Sequence, residues 1–113
     1  MKIEINDHRK IFAIQEEFKS MFPNLELLFY VKPSNADSGH PHKLIKASSK
    51  TLAECRSIHN IGIVTIMPNM TIREMKQNFS DVYGLMVEVL HRGMNNLNPA
   101  DQNKMTLQEW NLR

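Results

Sequence analysis

The sequence has one cysteine and no long apolar run, and both absences limit what the protein is. Cys55 alone cannot form an internal disulfide, which suits a reducing compartment. A membrane-spanning helix needs about 20 apolar residues, and no run in the sequence comes near that length. The amino-terminal segment MKIEINDHRK is too charged for a signal peptide. We therefore expect a cytoplasmic protein with no membrane partner.

The spacings that mark common ligand sites are also absent. The chain has four glycines and no Gly-rich run, which excludes a P-loop. It has no CxxC or HExxH spacing, so Cys55, His59, His40 and His42 do not match a zinc ligand set. We interpret Cys55 as a core residue and His59 as a surface residue, and the sequence calls for no metal and no cofactor.

Composition and length predict one α/β domain over residues 1–113. The chain is 42% apolar and 23% charged, which is typical of a folded domain. Its net charge is only +2, but residues 39–60 hold four basic residues against one acidic residue, a local charge of +3. We expect 39–60 to be an inserted basic loop with a short helix, and 93–113 to be a carboxy-terminal loop and helical tail. The local charge favours an anion site there over a generally basic surface.

Hydrophobic periodicity predicts four strands and two long helices. The strands are KIEI, LELLFYV, IGIVTIM and LMVEVLHR, which alternate or are rich in β-branched residues. Asn6 or Asp7 is placed to cap the first helix, and Gly84 to end the second. Capping boxes of the S/T-x-x-E type predict helix starts at three further places, namely Thr51 with Glu54, Thr71 with Glu74, and Thr106 with Glu109. Of the second long helix we expect four residues to face the core: Ile72, Met75, Phe79 and Val82.

The two halves of the chain repeat one pattern. EFKSMFPNLELLFYV and NFSDVYGLMVEVLHR both place a Phe, an aromatic residue four positions later, a helix breaker and then a strand. Two βαβ units of this kind predict an α+β fold, the ferredoxin-like plait: a four-stranded sheet with both long helices on one face. The alternative is a different four-stranded α/β sandwich with a third helix packed on the sheet.

The face of the predicted sheet that points away from the helices is unusually apolar. If Leu27, Phe29, Ile63, Val87 and Val89 face the helices, alternation places six other apolar residues on the opposite face: Leu28, Tyr30, Val64, Ile66, Met86 and Leu90. A solvated face would be polar, so this one predicts a contact surface. A second copy of the chain, the Trp110 segment or the inserted helix could cover it, and a symmetric homodimer is the commonest solution.

The basic segment predicts an anion site just ahead of its short helix. Helix N-termini present free N–H groups, to which lysines and hydroxyls add donors. The candidate residues for a phosphate-containing ligand or a nucleic acid are Lys43, Lys46, Ser48, Ser49, Lys50, Thr51 and Arg56. The alternative is a solvated basic loop with an ordinary cap.

Two further functions have weaker support. Cys55 and His59 lie four residues apart and could form a nucleophilic pair, but a catalytic thiolate needs an accessible, electropositive setting. Phe29 and Tyr30 lie on a strand, as base-stacking aromatics do in RNA-recognition modules, yet the surrounding face is aliphatic. The sequence therefore favours a non-enzymatic module that associates with itself. Anion or nucleic-acid binding is the alternative, and a small enzyme is the least favoured of the three functions.

Three segments resemble a small group of uncharacterised bacterial proteins with no assigned function. They are MKIEINDHRKIFAIQEEFKSMFP, KLIKASSKTLAECRSIHN and PNMTIREMKQNFSDVYGL, and the resemblance covers residues 1–92. Residues 93–113 depart from it, apart from TLQEW. The resemblance implies a bacterial, cytoplasmic origin and carries no functional residue across.

Overall fold

The computed structural model describes residues 1–31, 43–46, 49–93 and 98–113. Most of the loop expected between Pro33 and Lys43 therefore lies outside the described residues, as do His40, His42 and Ser48. In chain order the elements are β1 (Lys2–Ile5), α1 (Ile11–Met21), β2 (Leu25–Val31), β3 (Lys43–Leu44), a 3₁₀ turn (Leu52–Glu54), β4 (Gly62–Thr65), α2 (Ile72–Tyr83), β5 (Met86–His91), α3 (Pro99–Gln102) and α4 (Leu107–Asn111). No helix among the described residues has the length and apolar character that crossing a bilayer requires.

The α+β class is confirmed, but the strands lie in two separate sheets. β1 pairs antiparallel with β4, while β2 lies between β3 and β5 in a second antiparallel sheet. The single four-stranded sheet of a plait is therefore not confirmed. Each long helix connects a strand of one sheet to a strand of the other. Strand pairing is a contact between distant residues, so local periodicity alone could not predict it.

The register of β1 and β4 corrects the predicted orientation of one strand. Val64 lies opposite Ile3, and residues directly opposite one another in a ladder share a face. Ile3 is fully buried, so Val64 (2% exposed) and Ile66 (0%) also point into the core. The two residues were expected on the outer face; both lie inside, and Ile63 is outside instead. Shifting a strand by one residue exchanges its two faces.

Capping chemistry defines α2 as the sequence predicts. The Thr71 hydroxyl accepts from the Glu74 N–H at 3.1 Å, and the Glu74 carboxylate accepts from the Thr71 N–H at 3.3 Å. Gly84 ends the helix in the left-handed region at φ 63°. The buried stripe closes with Tyr83 rather than Val82, which is 51% exposed.

The start of α1 differs from the prediction. The helix begins at Ile11, and its N-cap is Lys10, with no side-chain cap. Asn6 instead closes a turn: its side-chain oxygen accepts from the N–H groups of His8 (3.0 Å) and Arg9 (3.1 Å). Asn and Asp favour such turns for the same reason that they favour caps, because a short side chain satisfies nearby backbone donors.

The carboxy-terminal segment belongs to the core. Met105, Leu107 and Trp110 are buried, and Trp110 is 0% exposed. Its indole lies 5.2 Å from the His91 ring, centroid to centroid. Backbone bonds of 2.9 Å from Leu107 N–H to the Met70 carbonyl and from Ile72 N–H to the Met105 carbonyl fix this segment beside the start of α2. The Trp110 segment therefore packs in the interior and not on the outer sheet face.

Replacing Gly84 with alanine is expected to destabilise the protein by about 1–2 kcal/mol. The left-handed conformation is strained for a residue with a Cβ, and that Cβ would lie 3.2 Å from the Ile58 Cβ. Gly93→Ala is the matched control, because its Cβ would lie 3.7 Å from the nearest side-chain atom, an ordinary contact. Urea unfolding of both variants measures the difference; equal midpoints would contradict the prediction.

Candidate functional site

The basic segment does not gather its donors at a helix terminus. Its helical part is one 3₁₀ turn, Leu52–Glu54, in which the Glu54 carboxylate accepts from the Thr51 N–H at 2.8 Å. So short a turn has no useful dipole and few free N–H groups. Lys46, Ser49 and Lys50 are exposed, while Ser48 and the side chain of Lys43 lie outside the described residues.

Arg56 faces the interior and is not available to an external anion, contrary to the sequence prediction. Its side chain is 0% exposed. One guanidinium nitrogen donates to Asp7 Oδ1 at 2.9 Å and the other to the Tyr83 carbonyl at 3.0 Å. Arg56 thus ties the β1–α1 loop to the carboxyl end of α2. It is a structural anchor, because a buried guanidinium must be paired.

His59 and Asp7 form the exposed end of the same cluster. His59 Nδ1 lies 2.7 Å from Asp7 Oδ2. Desolvation raises the pKa of Asp7, but hydrogen bonds and charges from Arg56 and His59 outweigh it, so the pKa lies below its usual value. Both oxygens of this carboxylate therefore already have partners, and it is poorly suited to general-base catalysis.

Cys55 has the surroundings of a core residue. Its Sγ donates to the Thr51 carbonyl at 3.2 Å. Burial raises the pKa of the thiol, Glu54 adds to the rise, and Lys50 only partly opposes it. A reactive cysteine needs the opposite shift. Among the described residues no group of three or more His, Cys, Asp or Glu could hold a metal ion.

The outer face of the β3–β2–β5 sheet keeps four of the six residues expected there. Cross-strand pairs place Leu28 opposite Glu88, Tyr30 opposite Met86 and Leu90 opposite Glu26. Leu28, Tyr30 and Met86 are only half-buried, and Leu90 is 37% exposed. Two glutamates interrupt this apolar face, so it is less continuous than the sequence suggested.

A second apolar surface, which the sequence did not indicate, lies where β4 meets the end of α2. We call it the aliphatic surface: Ile58 (44% exposed), Ile61 (79%), Ile63 (51%) and Val82 (51%). The Asn60 side chain donates to the Val82 carbonyl at 2.6 Å, and the Tyr83 hydroxyl donates to the Ile63 carbonyl at 3.2 Å. These bonds hold residues 60–63 alongside the end of α2, so the four exposed side chains belong to neighbouring segments of the chain. Ile63 was expected to face the helices and Val82 the core.

A groove lies between α2 and β5. It has a volume of about 560 Å³. Leu85, Met86 and Val87 border it on the strand side, where the side chain of Met86 is half-buried and those of Leu85 and Val87 are in the core. Five polar side chains contributed by α2 and the segment before α4 line the rest: Arg73, Lys76, Gln77, Ser80 and Asn103. Tyr30 and Glu88 complete it from the outer sheet face. The α2 residues recur at positions i, i+3, i+4 and i+7, a spacing that was visible in the sequence as one polar helix face.

No protein-family model, no curated protein and no solved structure matches this chain. The resemblance to bacterial proteins therefore stays a prediction, and function is argued from the geometry of the two apolar surfaces and the groove.

Proposed function

We propose that this protein is a non-enzymatic interaction module that associates with a second copy of itself through the aliphatic surface. The observation that carries the proposal is the exposure of four aliphatic side chains in β4, the segment before it and the adjoining end of α2. Ile61 directly precedes β4, and Ile63 lies in it. Exposed apolar surfaces mark interaction sites.

A second copy is the partner that this chemistry favours. The four side chains carry no charge and no hydrogen-bonding group, so they offer no polar pattern for recognising a different protein. In a two-fold symmetric dimer the same patch of each copy packs against the other, and aliphatic packing needs no complementary charge. The outer face of the β3–β2–β5 sheet, with Leu28, Tyr30, Met86 and Leu90, is the alternative surface for the same homodimer.

The strand edges support contact through faces rather than edges. At the free edge of β5, Gln102 Nε2 donates to the Val89 carbonyl, and Lys76 pairs with Glu88 at 2.8 Å. At β4, the Tyr83 hydroxyl donates a hydrogen bond to the Ile63 carbonyl. Helices and charged side chains that cover an edge are the usual protection against edge-to-edge pairing.

Two finer expectations remain part of the proposal. A plait-like arrangement is supported by the packing of α1 on β2 and of α2 on β5, since those strands are neighbours and both helices bury residues in one core. The cytoplasmic location rests on the single cysteine alone. Anion or nucleic-acid binding by the basic segment stays an alternative, but Arg56 is buried and no longer counts among its candidate residues.

Replacing Ile61 with glutamate is expected to convert a dimer into a monomer. Light scattering after size exclusion, at tens of micromolar protein, should give the wild type about twice the chain mass of 13.1 kDa. The variant should give the single mass, because an unpaired charge buried in an interface costs several kcal/mol. Ile61 is 79% exposed in the single chain, so the substitution leaves the core intact, which circular dichroism verifies.

Leu112→Glu is the matched control, since Leu112 is 74% exposed and lies at the carboxyl end, outside the aliphatic surface. It should remain a dimer. If Leu90→Glu, and not Ile61→Glu, gives a monomer, the dimer uses the outer sheet face. A wild type that is strictly monomeric would refute the proposal for both surfaces.

A further inference from the structure

The groove between α2 and β5 has the chemistry of a ligand site that is separate from the aliphatic surface. Its volume of about 560 Å³ lies within the range of small-molecule sites. Its apolar part is Met86 and the Tyr30 ring, because the side chains of Leu85 and Val87 are buried in the core, and polar side chains line it from α2. A mixed lining of this type fixes the orientation of a ligand through a few polar contacts while the apolar part supplies most of the burial.

The backbone N–H and C=O of Val87 point towards the groove. Val87 lies opposite Phe29 in the β2–β5 ladder. The Phe29 carbonyl accepts from Ile45 N–H at 2.9 Å, on the β3 side of β2. The Phe29–Val87 pair is therefore a non-hydrogen-bonded pair, and the Val87 N–H and C=O point away from β2 towards the free edge. The bond from Gln102 to the Val89 carbonyl, two residues on, agrees with this direction.

The groove contains more donors than acceptors. Arg73 has no carboxylate partner among the described residues, and its guanidinium is exposed at the groove wall. Lys76 is the second cation, held by Glu88 at 2.8 Å and by Asn103 Oδ1 at 3.3 Å. Glu88 is the single acid of the lining, so the net charge is +1. A ligand that matches this site carries a negative group and an apolar body.

We propose that the α2–β5 groove binds a small organic acid, with the carboxylate at Arg73 and the apolar body against Met86 and the Tyr30 ring. The planar guanidinium suits a carboxylate, because it donates two parallel hydrogen bonds. The Val87 N–H supplies a further donor at the apolar end. Lys76 attracts the anion less strongly than Arg73, since Glu88 neutralises it.

Titration of the protein with octanoate, below its micelle-forming concentration, tests the site. Amide chemical shifts should change around Val87 and the α2 wall, and they should saturate. Octanamide, which has the same body without the charge, and inorganic phosphate, which has charge without a body, should each bind at least several times more weakly. Equal binding of octanoate and octanamide would overturn the assignment, as would shift changes confined to another part of the chain.

Three variants place the carboxylate. Arg73→Gln should weaken octanoate binding about tenfold, the lower end of the effect of a charge-assisted hydrogen bond in an open groove. Arg113→Gln, which removes the same charge at an exposed position outside the groove, should bind as the wild type does. Glu88→Gln should tighten binding severalfold because it frees Lys76. Equal affinities of Arg73→Gln and Arg113→Gln, or no gain in Glu88→Gln, would overturn the proposal. The oligomeric state of the same samples reports separately on the aliphatic surface.

Discussion

Replacing Arg56 with alanine is expected to lower the free energy of unfolding by about 3 kcal/mol. The side chain is 0% exposed and its two nitrogens bond Asp7 and the Tyr83 carbonyl, so its loss leaves a hole and two acceptors without their donor. Breaking one side of a buried pair typically costs about 3–5 kcal/mol, and the lower figure applies here because Asp7 is partly exposed. Thermal unfolding should show a midpoint lower by roughly 10 °C.

Two variants separate packing from the polar contacts. Arg56→Met fills most of the space without the hydrogen bonds, so it should recover part of the loss. Arg92→Ala removes an arginine from an exposed position and should change the stability by less than about 0.5 kcal/mol. An Arg56→Ala variant as stable as Arg92→Ala would show that the cluster does not anchor the fold.

The same cluster should leave a signature in acid. The pKa of Asp7 in the folded chain is lowered, so its contribution is fully present above the unfolded pKa of about 3.9 and is lost as pH falls through the folded value. Asp7→Asn should therefore be less stable than the wild type at neutral pH and should lose less stability between neutral pH and strong acid. Parallel stability curves for the two proteins would contradict this.

Replacing Trp110 with alanine is expected to be the other severe substitution, costing about 3–5 kcal/mol. The side chain is 0% exposed and contacts the His91 ring, so its removal opens a large cavity between the carboxyl end and β5. Leu112→Ala is the control two residues away, where the side chain is 74% exposed and should matter little. Denaturant unfolding followed by circular dichroism measures both.

Trp110→Phe refines the interpretation. The indole nitrogen is buried and has no hydrogen-bond partner among the described residues. Phenylalanine therefore removes volume but no hydrogen bond, and the expected cost is nearer 1–2 kcal/mol. If Trp110→Ala were as stable as Leu112→Ala, the last residues would be a dispensable tail, and the core described above would be wrong.

Hydrogen bonds to the end of α2 hold the aliphatic surface in place. Arg56 and Asn60 donate to carbonyl groups at the end of α2, and the Tyr83 hydroxyl donates to the Ile63 carbonyl in β4. The segment from residue 56 to residue 63 is thus fixed at several points, although it has almost no regular structure. An ordered loop presents its apolar side chains at a lower entropic cost on association than a flexible one, which favours a contact surface there.

Sequence patterns determined the features that depend on neighbours along the chain. The boxes at Thr71 and Thr106 form with the expected partners, and Gly84 ends α2 in the conformation that glycine alone adopts without strain. The positions of all four predicted strands follow from alternation and β-branching. Caps and strand periodicities depend on residues two to four positions apart, so they can be predicted from the sequence alone.

Only the tertiary structure decided which strands pair, which face each strand buries and which charges meet. Val64 is inside because Ile3, 61 residues earlier in the chain, lies opposite it. Arg56 is an anchor and not an anion ligand because the fold places Asp7 beside it, at a separation of 49 residues. A period of two does not say which set of residues faces inward, and a charge pattern does not say which charge is already paired. Both are settled by contacts between residues far apart in sequence.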